Sequence, residues 1–135
     1  MASPLDHSPT DSADDLAALQ GAWEQTGFEE NGVPNPPDDH GAAGALTLIR
    51  GKHFEVRTVS GELLLEGDFT LDASATPKAI TWVDSIGVDA GRQLPAIYRL
   101  EGDQFVFVAA DEGMPRPQAF RTSMGLTMRS FVRKR

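Results

Sequence analysis

The residues able to do chemistry in this chain of 135 are few: three histidines, one tyrosine, two tryptophans, twenty acids and no cysteine. Without cysteine there are no disulfides, thiolate metal sites, Fe–S clusters or thiol nucleophiles. His7, His40 and His53 are widely spaced, with no HxH or HxxxH pair. A histidine-rich metal centre is therefore not expected, and neither is a cofactor. His40 follows Asp38 and Asp39, a cluster able to hold a divalent cation or pass a proton. On a proline-rich loop the plainer expectation for it is a solvated segment. His53 precedes Phe54 in a strand pattern and points outward if Phe54 points in. Ser85 lacks the GxSxG setting of a nucleophile elbow. No glycine-rich phosphate loop follows a parallel strand, which excludes dinucleotide and P-loop chemistry.

The elements that must position these residues are mostly strands. Met1 to about Thr10 reads as a disordered acidic start, and residues 12–135 read as one domain. Ser12 is the expected N-cap of a short helix, with Asp14 and Asp15 in its first turn, where the helix dipole favours anions. Leu16 and Leu19 form its apolar stripe and Gly21 its stop. A helix of about two turns is unstable alone and must pack on something. After Gly21 the period changes to two. Strands are expected at Trp23 to Phe28, Ala45 to Arg50, Lys52 to Val59, Gly61 to Leu71 and Ala79 to Val83. Four more are expected at Leu94 to Leu100, Phe105 to Ala109, Ala119 to Thr122 and Leu126 to Arg133. Val33 to Gly44 holds three prolines and reads as a long loop, of the kind that often serves as a lid. One helix followed by this meander indicates an all-β domain, an antiparallel up-and-down barrel of about eight strands.

Charge is uneven along the chain. Net charge is −8, from 20 acids and 12 bases. Residues 1–40 carry nine acids and no Lys or Arg, whereas residues 114–135 carry six bases and no acid. If the first and last strands pair to close the barrel, these opposite charges favour the pairing. A net negative chain is a poor partner for nucleic acid, which needs a cationic face. No apolar run approaches the roughly 20 residues of a membrane-spanning helix. The start has neither the basic n-region nor the apolar h-region of a secretory signal, so a cytoplasmic location is expected.

Gly21-Ala22-Trp23, at the helix-to-strand junction, resembles the Gly-x-Trp signature of lipocalin-type barrels. Several further segments follow in order: Glu30-Asn31-Gly32-Val33-Pro34, Gly67-Asp68-Phe69-Thr70-Leu71-Asp72, Pro77-Lys78-Ala79-Ile80, Ile97-Tyr98-Arg99-Leu100-Glu101-Gly102-Asp103 and Arg116-Pro117-Gln118-Ala119-Phe120. With Leu19 to Trp23 they resemble a bacterial lipocalin-like family abundant in planctomycetes, over about residues 16–135. Thr81 stands where that family usually has Asp, and Phe105 to Val108 lacks its frequent Cys. The resemblance implies a Trp23 that packs across the closed barrel end beneath the helix, covered by an arginine of the last strand. Among Arg129, Arg133 and Arg135, spacing favours Arg133.

The strand alternation proposes an inward face of Leu46, Leu48, Phe54, Val56, Leu63, Leu65, Phe69, Ile80, Trp82, Ala96, Tyr98, Phe105 and Phe107. Of these, Phe54, Leu63, Leu65, Phe69, Trp82, Tyr98, Phe105 and Phe107 are the expected contacts of a small hydrophobic ligand. Trp82 and Tyr98 each carry a donor that needs a partner when buried. The leading expectation is a barrel that binds a small hydrophobic molecule. The alternative is a cofactor-free cyclase or isomerase, for instance of polyketides or polyenes, acting by proximity and orientation inside the cavity. Its candidate catalytic residues are Tyr98, Asp84, Arg92 and His40; Asp84 and Arg92 would polarise a carbonyl at the barrel mouth. A second alternative is a filled barrel serving as an interaction module.

Overall fold

The computed structural model describes residues 7–35, 44–87 and 90–134, apart from the side chains of residues 7–11 and 35. One helix, α1 (His7–Leu19), precedes nine strands. These are β1 (Gly21–Glu30), β2 (Val33–Asn35), β3 (Leu46–Arg50), β4 (His53–Arg57), β5 (Leu63–Asp72), β6 (Ala79–Asp84), β7 (Gln93–Glu101), β8 (Gln104–Ala110) and β9 (Leu126–Lys134). Neighbours pair antiparallel in the order β2-β1-β3-β4-β5-β6-β7-β8-β9, and β1 also pairs with β9. That last pairing closes β1 and β3–β9 into an eight-stranded barrel, with β2 a short addition to the end of β1. The all-β barrel with a short N-terminal helix is thus what the alternation implied. Closure leaves no free barrel edge among these eight strands. No helix among the described residues is long and apolar enough to cross a membrane.

Cross-strand pairs identify the inner face. Phe69 pairs with Trp82, Ile80 with Ala96, Tyr98 with Phe107 and Phe105 with Phe131. Residues opposite one another share a face, so these pairs trace one continuous lining. Leu19, Trp23, Phe69, Ile80, Ala96, Tyr98 and Phe105 are almost fully enclosed. The close approach at Gly67 shapes this lining. A Cβ there would lie 2.2 Å from the Val83 carbonyl oxygen and 2.9 Å from the Phe54 ring. Only glycine lets β5 approach β6 this closely while Phe54 lies across it.

Four expectations about elements change. Leu46 and Leu48 do not face inward; Thr47 and Ile49 do, since Thr47 pairs with Trp23 and Val56, and Ile49 with Phe54. Apolar residues occupy both parities of β3, and the tight turn pairing Arg50 with His53 decides between them. Ala119 to Thr122 is not a strand, because β8 pairs directly with β9. Phe120 instead packs outside, 4.3 Å from the Arg99 guanidinium. Val33–Asn35 is strand rather than loop. The helix also starts earlier than the Ser12 cap implies, at His7. Ser12 therefore lies within α1, where its hydroxyl accepts the Ala73 N–H at 2.9 Å.

Candidate functional site

The two ends of the barrel differ in chemistry. At one end α1 lies over Trp23, whose indole N–H donates to the Leu19 carbonyl at 2.8 Å. The Arg133 guanidinium stacks 4.3 Å from the centre of the Trp23 ring. It donates to the Gln20 carbonyl at 2.8 Å and to the Ala18 carbonyl, and it pairs with Asp103 at 3.0 Å. A cation over the last carbonyls of a helix satisfies groups that have no partner within the helix. Gly21 has a φ of +117°, which an L side chain rarely adopts, and it lies beneath Arg133. This end is a plug of α1, Trp23 and Arg133.

Tyr98 belongs to the same end. Its hydroxyl donates to Asp15 of α1 at 2.6 Å, and Lys78 pairs with the same carboxylate oxygen at 3.0 Å. The tyrosine therefore ties helix to barrel. Around it the aromatic residues expected to line a ligand site largely pack on one another. Phe105 lies 5.8 Å from Trp23, 6.4 Å from Tyr98 and 5.7 Å from Phe131 between ring centres. Trp82 contacts Phe54 at 5.2 Å, Phe69 at 5.3 Å and Phe107 at 4.9 Å. Leu65 packs against this cluster; Leu63, beside an irregularity in the β4–β5 pairing, is half-buried. Aromatic side chains thus fill the interior from the α1 plug as far as Trp82.

The far half of the interior is more polar. Trp82, 7% exposed, has its indole nitrogen shut off from solvent with no hydrogen-bond partner among the described residues. Such a donor carries a desolvation penalty of about 1–3 kcal/mol. On β9, Arg129 occupies the same face as Phe131 and pairs with Phe107 and Phe28. Its guanidinium lies 4.3 Å from the Phe28 ring centre and donates to the Gln25 side-chain oxygen at 3.0 Å. Burial lowers the Arg129 pKa, while the charge of Glu30 opposes that shift. Neither Gln25 nor Arg129 was singled out as a ligand contact from the residues. The signal was the period of β9, which puts Thr127, Arg129, Phe131 and Arg133 on one face. Asp84, 8% exposed, ends β6 opposite Gly67 at this far end. Tyr98 and Asp84 are therefore at opposite ends of the barrel.

The remaining candidates lie outside. Arg92 is half-exposed and sits 3.6 Å from Glu112. Nearby, a surface groove of about 370 Å³ is lined by Thr81, Gln93, Pro95, Glu112 and Arg116, among others. Arg116 is already engaged by the Ile80 and Ala96 carbonyls, at 2.9 and 2.7 Å, and by the Thr81 hydroxyl. His40 lies outside the described residues. His53 does point outward, and both ring nitrogens meet carboxylates: Nδ1 lies 3.1 Å from Asp68 and Nε2 2.9 Å from Glu66. The hydrogen bond to Asp68 raises the His53 pKa most, Glu66 adds to it, and burial partly opposes both. Ligand atoms of His53, Glu55 and Glu66 lie within 4.8 Å of one another, so this group could hold a divalent cation.

No protein-family model matches the chain, and no curated protein and no solved structure matches it. The geometry of the barrel is therefore what a functional reading rests on.

Proposed function

We propose that the barrel binds a small hydrophobic molecule in the half of its interior away from α1. The observation that carries this reading is the Trp82 indole N–H, enclosed in the lining yet without an acceptor among the described residues. A packed core pairs its buried donors; a binding site leaves one for the ligand. Phe107 supplies apolar surface beside it, and Leu65 packs on the same cluster. The plug of Trp23, Arg133 and α1 supports the kinship with lipocalin-like barrels that the Gly21-x-Trp23 start suggests.

Titration with the neutral apolar fluorophore N-phenyl-1-naphthylamine tests the proposal. Its emission is expected to rise saturably with one site per chain, and Trp82 emission to be quenched. Trp23→Phe keeps that quenching and Trp82→Phe removes most of it. No saturable rise, together with no small molecule in native mass spectra of the purified protein, would sink the idea.

A further inference from the structure

From the far half of the interior we infer that the ligand is an acid: an apolar molecule whose carboxylate is held by Arg129. This rests on the binding reading above and names the chemistry of that same site. A guanidinium has five N–H donors. Among the described residues Arg129 makes one hydrogen bond, to the neutral Gln25 side chain, and its face rests on Phe28. Glu30 acts on it electrostatically, yet no carboxylate of the described residues forms an ion pair with it. Arg129 is half-buried, and a partly desolvated guanidinium is stabilised when a carboxylate meets its remaining N–H groups.

The contrast with the other interior-facing arginine of β9 is instructive. Arg133 has an aromatic face, the Ala18 and Gln20 carbonyls and a carboxylate around it. Arg129 has the aromatic face and one amide oxygen. Trp82 is the second, independent pointer, since its enclosed N–H lacks an acceptor among the described residues. Phe107 links the two: its ring lies 4.9 Å from Trp82, and Arg129 is its cross-strand partner. An indole N–H without an acceptor and a guanidinium with N–H groups to spare, both judged among the described residues, thus lie beside one aromatic ring. They define an acceptor-bearing, negatively charged head beside an apolar body. A carboxylate meets a guanidinium through two parallel hydrogen bonds, which a hydroxyl or an ester cannot do.

The test is displacement of bound N-phenyl-1-naphthylamine by dodecanoic acid, dodecanol and methyl dodecanoate, which share one chain and differ at the head. The acid is expected to displace the fluorophore at least about tenfold more effectively than the alcohol or ester. In Arg129→Met, which keeps an unbranched apolar stem, that preference is expected to fall to about twofold or less, with displacement by the alcohol little changed. Equal displacement by all three in the native protein would overturn the carboxylate assignment and leave the binding reading standing. An acid preference that persists in a folded Arg129→Met protein would overturn the role of Arg129. If the fluorophore itself does not bind, the binding reading fails, and the inference fails with it. Should Arg129→Met not fold, the comparison of acid, alcohol and ester on the native protein still decides whether an acid is preferred.

Discussion

His53 shows how one side chain couples this fold to pH. Asp68 and Glu66 hold its ring between them and favour the protonated form, so its pKa is higher folded than unfolded. The stabilisation is fully present below the ordinary value of 6.5 and is lost as pH rises through the raised one. His53→Gln is expected to remove this dependence. Melting temperatures at about pH 6 and pH 8.5 should differ less in the variant than in the native protein. Because the ring is partly exposed, the effect is small. An unchanged difference would mean that other groups titrate in that window. The outward direction of His53 was legible from Phe54 beside it. Its carboxylate partners were not, because Glu66 and Asp68 reach it only through the pairing of β4 with β5. Arg129 was legible in the same limited sense: alternation puts it inside, but the missing counter-charge is a property of the assembled lining.

At the level of elements, α1 illustrates a weak helix made stable by what it covers. Its apolar stripe is short, and its hold on the barrel comes through Leu19, the Asp15 contacts and Arg133. Arg133→Ala removes the stacking on Trp23 and the bonds to the Ala18 and Gln20 carbonyls. A loss of about 2–4 kcal/mol is expected in urea unfolding, with Arg133→Lys recovering only part of it. A loss below about 0.5 kcal/mol would show that α1 is held by apolar contact alone. β3 shows where sequence periodicity fails. Leu46, Thr47, Leu48 and Ile49 offer no clean alternation, and the two-residue turn to β4 chooses the parity. Gly67 could be read as one of several strand glycines; only the packing of β5 on β6 shows why a side chain is intolerable there.

For the whole molecule the question is what closes the barrel. The acidic beginning and basic end of the chain do meet, and Lys134 lies 3.7 Å from Glu24 across the β1–β9 seam. Both groups are exposed, so the pair contributes about 0–1 kcal/mol. Phe131, on the same seam, is 6% exposed and stacks on Phe105 and Phe107. Closure is therefore expected to be apolar in origin. Phe131→Ala should cost about 3–5 kcal/mol in chemical denaturation, whereas Lys134→Ala should shift stability by less than 1 kcal/mol. Comparable losses from the two variants would restore the ionic explanation.

The residues alone determined the class of fold, because a period of two with regular turns admits few arrangements other than a closed antiparallel sheet. They also identified the Gly21-x-Trp23 start and most of the aromatic lining. Tertiary structure alone decided which of those residues have partners. Tyr98, a catalytic candidate by type, is tied to Asp15 of α1, while Trp82 is left with an enclosed N–H and no acceptor. The physical reason is that burial and partnership depend on residues far apart in the chain. Asp15 and Tyr98 meet across 83 positions, Gln25 and Arg129 across 104. Alternation gives the direction of a side chain; only the closed barrel determines what it meets there.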